Sequence, residues 1–316
     1  MNTVIENDID VSIVIAAWNS ADFIETAIFS ALNQVGVSVE VIVIDDCSTD
    51  DTISVVQNIN DPRLRLIKNI KNTGPGGARN AGFDAARGLW IAVLDSDDDM
   101  LPDRLSTLLS LKNDKTDIIL DNFYQKLNSD SDLIPYYSKS DLPLGEFSLS
   151  FLINTNLIFS KVKSTGYLKP VFKRSFIKNK GVKYWPEVRV GEDYYFLANC
   201  LANSANAEVV KYSGYIYNVR GDSISSVLNL HHISTLIDAD TKLVNCFCFD
   251  KTTEIAQVTR TKNLLRSYKY LEIVNLLKQR KLIKAFIYSI LFPSSSFLLH
   301  QSILKRLNII LRGSNG

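Results

Sequence analysis

Trp90-Ile91-Ala92-Val93-Leu94-Asp95-Ser96-Asp97-Asp98-Asp99 is the stretch on which the fold turns. Its first five residues form a short apolar run, the mark of a buried strand. Four carboxylates follow within five residues. Like charges repel and carboxylates resist leaving water, so a buried strand ending in such a cluster is costly on its own. A divalent cation, which prefers hard oxygen ligands, offsets that cost. Asp95 and Asp97, two apart at a strand end, can address one cation and the phosphate or ribose beside it. The other reading is a solvated acidic loop before the helix that Pro102 opens, where acids favour the N-terminus. Asp98, Asp99 and Asp103 suit that second task.

Working outward, residues 11–17, 39–44, 64–67 and 118–120 are further short apolar runs and read as strands. Between them, Phe23, Ile24, Ala27, Ile28, Ala31 and Leu32 recur at helical spacing. Ile53, Val56 and Ile59 do so behind a cap at Thr49 or Asp50, and Ala78, Ala81, Ala85 and Ala86 behind a glycine-rich turn. Strands alternating with helices over 120 residues predict a parallel sheet covered on both faces. Ligands of such sheets bind beyond the carboxyl ends of the strands. Trp18-Asn19, Asp45-Asp46, residues 72–80 and Asp95 to Asp99 all fall there, which says more than any one motif does. Residues 121–147 read as loops and irregular strands. Residues 208–218 read as a strand, and residues from about 231 as helical.

Each polar cluster has two readings at this level. Asp45-Asp46 can accept from a nucleobase N–H or a ribose hydroxyl. It can also cap the next helix, although Ser48, Thr49 and Asp50 already suit that job and leave the pair available. Gly74 to Gly82 is neither a dinucleotide fingerprint nor a P-loop, since it lacks G-x-G-x-x-G and Gly-Lys-Ser/Thr. Arg79 within it reaches a phosphate or base, or pairs with a nearby Asp. Glu192-Asp193 supplies one general base, its pKa set by burial and by its neighbour, or only charge at a helix start. His231-His232 meets a metal or diphosphate, or merely begins a helix. Arg220, Asp222, Ser223 and Ser225 form a polar turn that can close over a diphosphate.

The bulk numbers set the limits. The chain has 316 residues, 46% hydrophobic and 22% charged, ordinary for a globular protein. Net charge is +1, but residues 251–316 hold 12 Lys and Arg against 2 Asp and Glu. The tail therefore stands at +10 and the first 250 residues at −9. A basic tail on an acidic body points to an anionic surface, most simply a membrane face. The tail alternatively packs on the body or forms a homo-oligomer. Cys47, Cys200, Cys246 and Cys248 include no C-x-x-C, and Cys246-x-Cys248 reads as two buried or half-buried side chains. No signal peptide is legible, and no apolar run reaches the roughly 18 residues of a spanning helix. A reducing, cytoplasmic setting is expected.

Residues 11–19, Asp45 to Asp50, Asn72 with Gly74 to Gly82, Asp95 to Asp98 and Gly191-Glu192-Asp193 together resemble family 2 glycosyltransferases of the GT-A fold, over roughly residues 9–228. Within that family the chain looks like bacterial enzymes of succinoglycan and exopolysaccharide synthesis. The resemblance implies an α/β, Rossmann-like, mostly parallel sheet flanked by helices, with a helical C-terminal extension. It implies a GT-A catalytic domain over residues 1–230, with a nucleotide-sugar half about 9–120 and an acceptor half about 121–230. Residues 231–316 are then a basic helical extension. The implied reaction is an inverting transfer from a nucleotide-diphosphate sugar, usually UDP-linked, with Mg2+ or Mn2+. The implied acceptor is a saccharide carried on a lipid diphosphate (a polyprenyl diphosphate) at the inner membrane face, where the tail holds the enzyme. A nucleic acid is not an expected partner.

Carried over by position, Ala16, Ala17, Trp18 and Asp46 line the nucleoside pocket, with Asp45, Arg79 and Ser96 beside them. Asp95 faces the ribose or metal, and Asp97 binds the metal on the diphosphate. The base comes from the acid pair, Asp193 in preference to Glu192. Cys47 stands where the family usually has glycine. The Q-x-x-R-W element of processive synthases is absent, which implies one sugar per encounter. Two competing readings stand beside this one: a nucleotidyltransferase acting on a sugar phosphate, and a non-catalytic binding module. The first wants a basic glycine-rich loop after the first strand, where Trp18-Asn19-Ser20-Ala21 stands. The second predicts loss of the acids, and none is lost.

Overall fold

The computed structural model describes residues 9–127, 132–219 and 228–298. It divides into two compact units, Met1–Leu152 with Lys163–Ser226, and Ile153–Val162 with Val227–Gly316.

In the first unit β1 (Val11–Ala17), α1 (Ile24–Leu32), β2 (Val39–Asp45), α2 (Thr52–Gln57), β3 (Leu64–Lys68), α3 (Gly74–Ala85) and β4 (Trp90–Asp95) alternate as expected. Next come β5 (Asp99–Met100), α4 (Arg104–Leu111), β6 (Ile118–Lys126), β7 (Ile134–Pro135), β8 (Gly145–Glu146) and α5 (Leu149–Thr155), within which the division into units falls. Then follow β9 (Val171–Lys173), α6 (Arg174–Lys180), α7 (Glu192–Ala202) and β10 (Ala207–Asn218). The sheet runs β3-β2-β1-β4-β9-β6-β10-β5. Its first four strands are parallel and in register, with Ala17 opposite Asp45 and Ala16 opposite Asp95. The carboxyl ends of β1, β2 and β4 therefore form one rim, the arrangement expected from the alternating pattern. The three strands are almost wholly buried, which explains why they read as continuous apolar runs.

Beyond β4 the sheet departs from the simple parallel pattern. The fifth apolar run does not lie beside the fourth: β9 inserts between β4 and β6, antiparallel to both. β6 also runs on to Lys126, through residues expected to be irregular. Pairing between strands tens of residues apart leaves no periodic trace, so local patterning misses it.

The amino ends of the same strands carry a polar cluster that satisfies itself. Ser12 Oγ donates to Glu40 at 2.7 Å, and Glu40 also accepts from Arg65 and from the Arg87 backbone N–H. α3 lies tight on the sheet because Gly82 has no side chain: a Cβ there would stand 2.3 Å from Val14 Cγ1.

The second unit holds α8 (Leu230–Cys246), α9 (Lys251–Lys278) and α10 (Leu282–Leu291), the helical extension expected. His231 and His232 form the first turn of α8, which Asn229 caps through the His232 N–H at 2.9 Å. Asp240 on α8 accepts from Gln257 at 2.7 Å and Arg260 at 3.0 Å on α9, a buried polar clasp. Ile153–Val162 belongs here because the Asn263 side chain bonds both the N–H and the carbonyl of Ile158, at 2.7 and 3.0 Å. Cys246 and Cys248 are exposed, not buried, because they sit where α8 ends and the link to α9 begins. The apolar run that forms α10 is also exposed: Ile283 and Phe286 are 78% and 67% accessible, and Ala285 alone is buried in that helix. No helix among the described residues is long and apolar enough to cross a membrane. Of the tail's last amphipathic stretch (297–311), residues from 299, with Lys305 and Arg306, lie outside the described residues, as does Arg312.

Candidate active site

The loops after β1 and β2 are laced into one floor. Asn19 takes a left-handed φ of 51° and accepts from the Thr49 N–H at 2.8 Å, while the Asn19 and Ser20 N–H groups donate to Ser48 and Thr52. Ser20 Oγ meets Ser96 Oγ at 2.8 Å, which ties this floor to the loop after β4. Trp18 stands half exposed above it, with Ala16 and Ala17 at the strand end below. Cys47 has φ 66°, the left-handed region that favours glycine. That conformation accounts for the usual glycine at this place in the family the chain resembles.

Asp45 and Asp46 have different jobs. Asp46 accepts from the Thr73 N–H, Thr73 Oγ1, the Gly74 N–H at 2.8 Å and Asn69 Nδ2 at 2.7 Å. It thus satisfies the orphan donors where α3 begins, as helix starts require. This departs from the expectation that Asp46 is left for a nucleoside, because α3 starts at Gly74, four residues before the alanine pattern. The Asp45 carboxylate accepts from the Ser48 N–H at 3.2 Å through Oδ2, and its Oδ1 is buried without a partner. A buried orphan acceptor is costly unless a donor arrives.

The centre of the site is a five-residue ion network. Arg79, 4% exposed on α3, places one guanidinium against three acids: Asp95 at 2.7 Å, Glu192 at 2.8 Å and Asp193 at 3.0 Å. Lys169, 7% exposed, shares its ammonium between Asp95 at 2.6 Å and Asp193 at 2.7 Å. Asp193 also accepts from Tyr184 Oη at 3.3 Å. Arg79 therefore faces carboxylates, the second of the two roles open to it from sequence. Glu192 and Asp193 open α7 behind Gly191, whose φ of 82° turns the chain into the helix.

The charges tune one another. Burial pushes Asp95 up, but Lys169 and Arg79 outweigh it and hold the carboxyl well below the usual range. Burial and then Asp193 raise Glu192 above an ordinary glutamate, against Arg79. Burial disfavours the Lys169 ammonium, yet Asp193 and Asp95 keep it firmly protonated.

The four acids after β4 separate. Asp98 accepts from Tyr215 Oη at 2.7 Å and the Asn218 N–H at 2.8 Å, so it anchors β10; it does not cap α4. Asp99 accepts from Asn218 Nδ2 at 3.2 Å, and Asp103 holds Tyr212. Burial, then Asp95 and Asp97, push Asp98 well above its usual value. Among the described residues no group of three or more metal-ligating side chains is assembled. Both Asp95 oxygens already face cations, which counts against Asp95 as a ligand. Asp97 is the acid of this turn that would hold a Mg2+ or Mn2+ ion together with the oxygens of a bound diphosphate, since magnesium is commonly held by one or two carboxylates plus substrate phosphates.

Sequence reasoning passed over Lys169, Tyr184 and Tyr215. Lys169 lies in a mixed basic and aromatic stretch with no motif around it; no local signal marks it. Arg220, Asp222, Ser223 and Ser225 lie outside the described residues.

Comparison with known proteins bears on this geometry. The model of glycosyl transferase family 2 matches residues 12–176. The succinoglycan biosynthesis protein ExoO of Rhizobium meliloti (strain 1021) is 42% identical over 275 residues, covering 86% of this chain and 79% of that protein. WfaP of Escherichia coli, a UDP-Glc:alpha-D-GlcNAc-diphosphoundecaprenol beta-1,3-glucosyltransferase, is 32% identical over 218 residues, 68% of this chain and 80% of that one. Among solved structures, S. aureus TarS 1-349 in complex with UDP-GlcNAc superposes with a TM-score of 0.65 at 20% identity, over 82% of this chain and 73% of that chain. That likeness speaks for the fold.

Proposed function

From the premise that this chain belongs to glycosyl transferase family 2, and is a glycosyltransferase, we propose that it moves one sugar from a UDP-linked donor, with inversion, onto a lipid-linked saccharide in surface-polysaccharide synthesis. One observation carries the reading. The rim that aligns Ala17, Asp45 and Asp95 is joined to the acid pair of α7 by cations that touch both Asp95 and Asp193. Donor residues and a base thus share one buried network. The names of the relatives, one in succinoglycan synthesis and one acting on a diphosphoundecaprenol acceptor, support the pathway and the acceptor class.

In this reading the nucleoside rests on Ala16, Ala17 and Trp18, and the orphan Oδ1 of Asp45 accepts from the base. Asp46 shapes the turn. Arg79 and Lys169 keep Asp95 ionised beside the ribose, and Ser96 braces the loop. Asp193 takes the proton of the acceptor hydroxyl as that oxygen attacks the anomeric carbon. The bond from that carbon to the diphosphate breaks on the opposite side, and UDP leaves. Glu192 holds Arg79 in place. Asp97, with the diphosphate, would hold a Mg2+ or Mn2+ ion, which would supply charge neutralisation for the leaving group.

The test is a UDP-release assay over nucleotide sugars with polyprenyl-diphosphate-linked acceptors. Release that needs both acceptor and Mn2+, and stops with chelator, is the expected result. Pyrophosphate release from a nucleoside triphosphate and a sugar phosphate would instead make the chain a nucleotidyltransferase.

The extension completes the reading as a peripheral membrane contact. α10 exposes Leu282, Ile283, Phe286, Ile290 and Leu291, with Lys278, Arg280, Lys281 and Lys284 in or just before it. Apolar faces bordered by cations lie in the interface of anionic bilayers. The full chain should float with anionic vesicles, and Ile283→Ser with Phe286→Ser should weaken partitioning at least about tenfold, given the apolar area removed. Equal flotation of the two would leave α10 as a protein-packing surface.

A further inference from the structure

The reaction described above uses Lys169 only to keep Asp95 ionised, which Arg79 does as well. A lysine this buried is costly unless paired. Here the pairing is double, to Asp95 at 2.6 Å and Asp193 at 2.7 Å, on a single nitrogen. Its backbone is fixed as well: Arg104, fully buried, donates to the Lys169 carbonyl at 2.6 Å and to Asp121 at 2.7 Å. Asp121 in turn accepts from the Gly214 N–H of β10 at 3.1 Å. The lysine is thus mounted on the central scaffold by a second buried ion pair.

We propose that Lys169 is a positioning residue that sets the separation between Asp95 at the donor end and Asp193 at the acceptor end of the site. The proposal rests on the roles given to those two acids under the proposed function. Arg79 bridges the same two acids but also carries Glu192, so it cannot replace the ammonium. Three carboxylates with two cations leave one net negative charge. Without Lys169 the same acids face Arg79 alone and repel one another. The base then drifts from the acceptor hydroxyl, and the donor phosphates meet a more negative wall.

The experiment measures kcat and donor KM of Lys169→Met and Lys169→Arg in the full chain, alone and combined with Asp193→Asn. Displacing reacting groups by about 1 Å can cost about 100-fold. Lys169→Met should therefore lose about 100-fold in kcat and raise donor KM. Lys169→Arg keeps the charge and the fold, but its planar fork cannot put one nitrogen between both oxygens. It should lose about tenfold in kcat with donor KM nearly unchanged. In the Asp193→Asn background either change should cost much less, because residues acting through one another are non-additive. Wild-type kcat in Lys169→Arg overturns the proposal even if Lys169→Met fails to fold. So does a loss of the same size in both backgrounds. Wild-type enzyme is the internal control: if it releases no UDP with any donor, the proposed reaction fails, and not the placement of Lys169.

Discussion

Asp97→Ala abolishes the Mn2+ dependence of UDP binding and lowers kcat/KM at least about 1,000-fold, on the expectation that a metal at a leaving group supplies several kcal/mol. The size of the effect follows from the neighbours. Asp95 has both oxygens against Lys169 and Arg79, and Asp98 has both against Tyr215 and Asn218. Neither can turn toward a cation without breaking a buried bond. The backbone at Asp97 is held separately, its carbonyl accepting from Asn218 Nδ2 at 2.8 Å, so the alanine variant should keep the turn. Calorimetry of UDP with and without Mn2+ reads the result. Undiminished metal-dependent binding in Asp97→Ala would remove the metal from this site.

The second large effect concerns the acid pair. Asp193→Asn should cost about 1,000-fold in kcat, the scale of losing a positioned base, while Glu192→Gln should cost roughly tenfold through a loosened Arg79. The pH profiles separate the two. Burial and Asp193 raise Glu192, so on acidification it takes its proton at a higher pH than a free glutamate, whose usual value is 4.5. Once neutral, it no longer holds Arg79. Wild-type activity should therefore begin to fall, as pH drops, above the ordinary glutamate range. Glu192→Gln should remove that limb and leave a profile that falls only at lower pH. If Glu192→Gln is the more damaging change, the proton acceptor is Glu192 and Asp193 belongs to the cation network.

The two acid pairs also show where reading the sequence stops. Asp45-Asp46 and Glu192-Asp193 are each visible as two adjacent carboxylates, and nothing in the letters ranks them. Asp46 is bound to the start of α3 because Thr73 and Gly74 approach it from 27 and 28 residues away. Asp45, the last residue of β2, keeps an orphan oxygen because no such donors reach its Oδ1. Arg79 has two readings in the sequence, a phosphate or base contact and an ion pair, and the three acids that surround its guanidinium come from residues the letters do not link to it.

The sequence by itself determined the alternation of β1 to β4 with helices, the common rim at their carboxyl ends, the acids gathered there and the basic extension. These are short-period features: apolar runs, helical spacing and strand-end polarity act over a few residues and leave a local record. The tertiary structure alone decided that β9 enters the sheet between β4 and β6, that Asp98 anchors β10, that α10 stays exposed, and that Lys169 stands between Asp95 and Asp193. Each of these depends on groups 24 or more residues apart or on which surfaces find cover. In the opening stretch, Trp90 to Asp99, the strand was readable from its own residues. The division of labour among its acids was not, because their partners come from elsewhere in the chain.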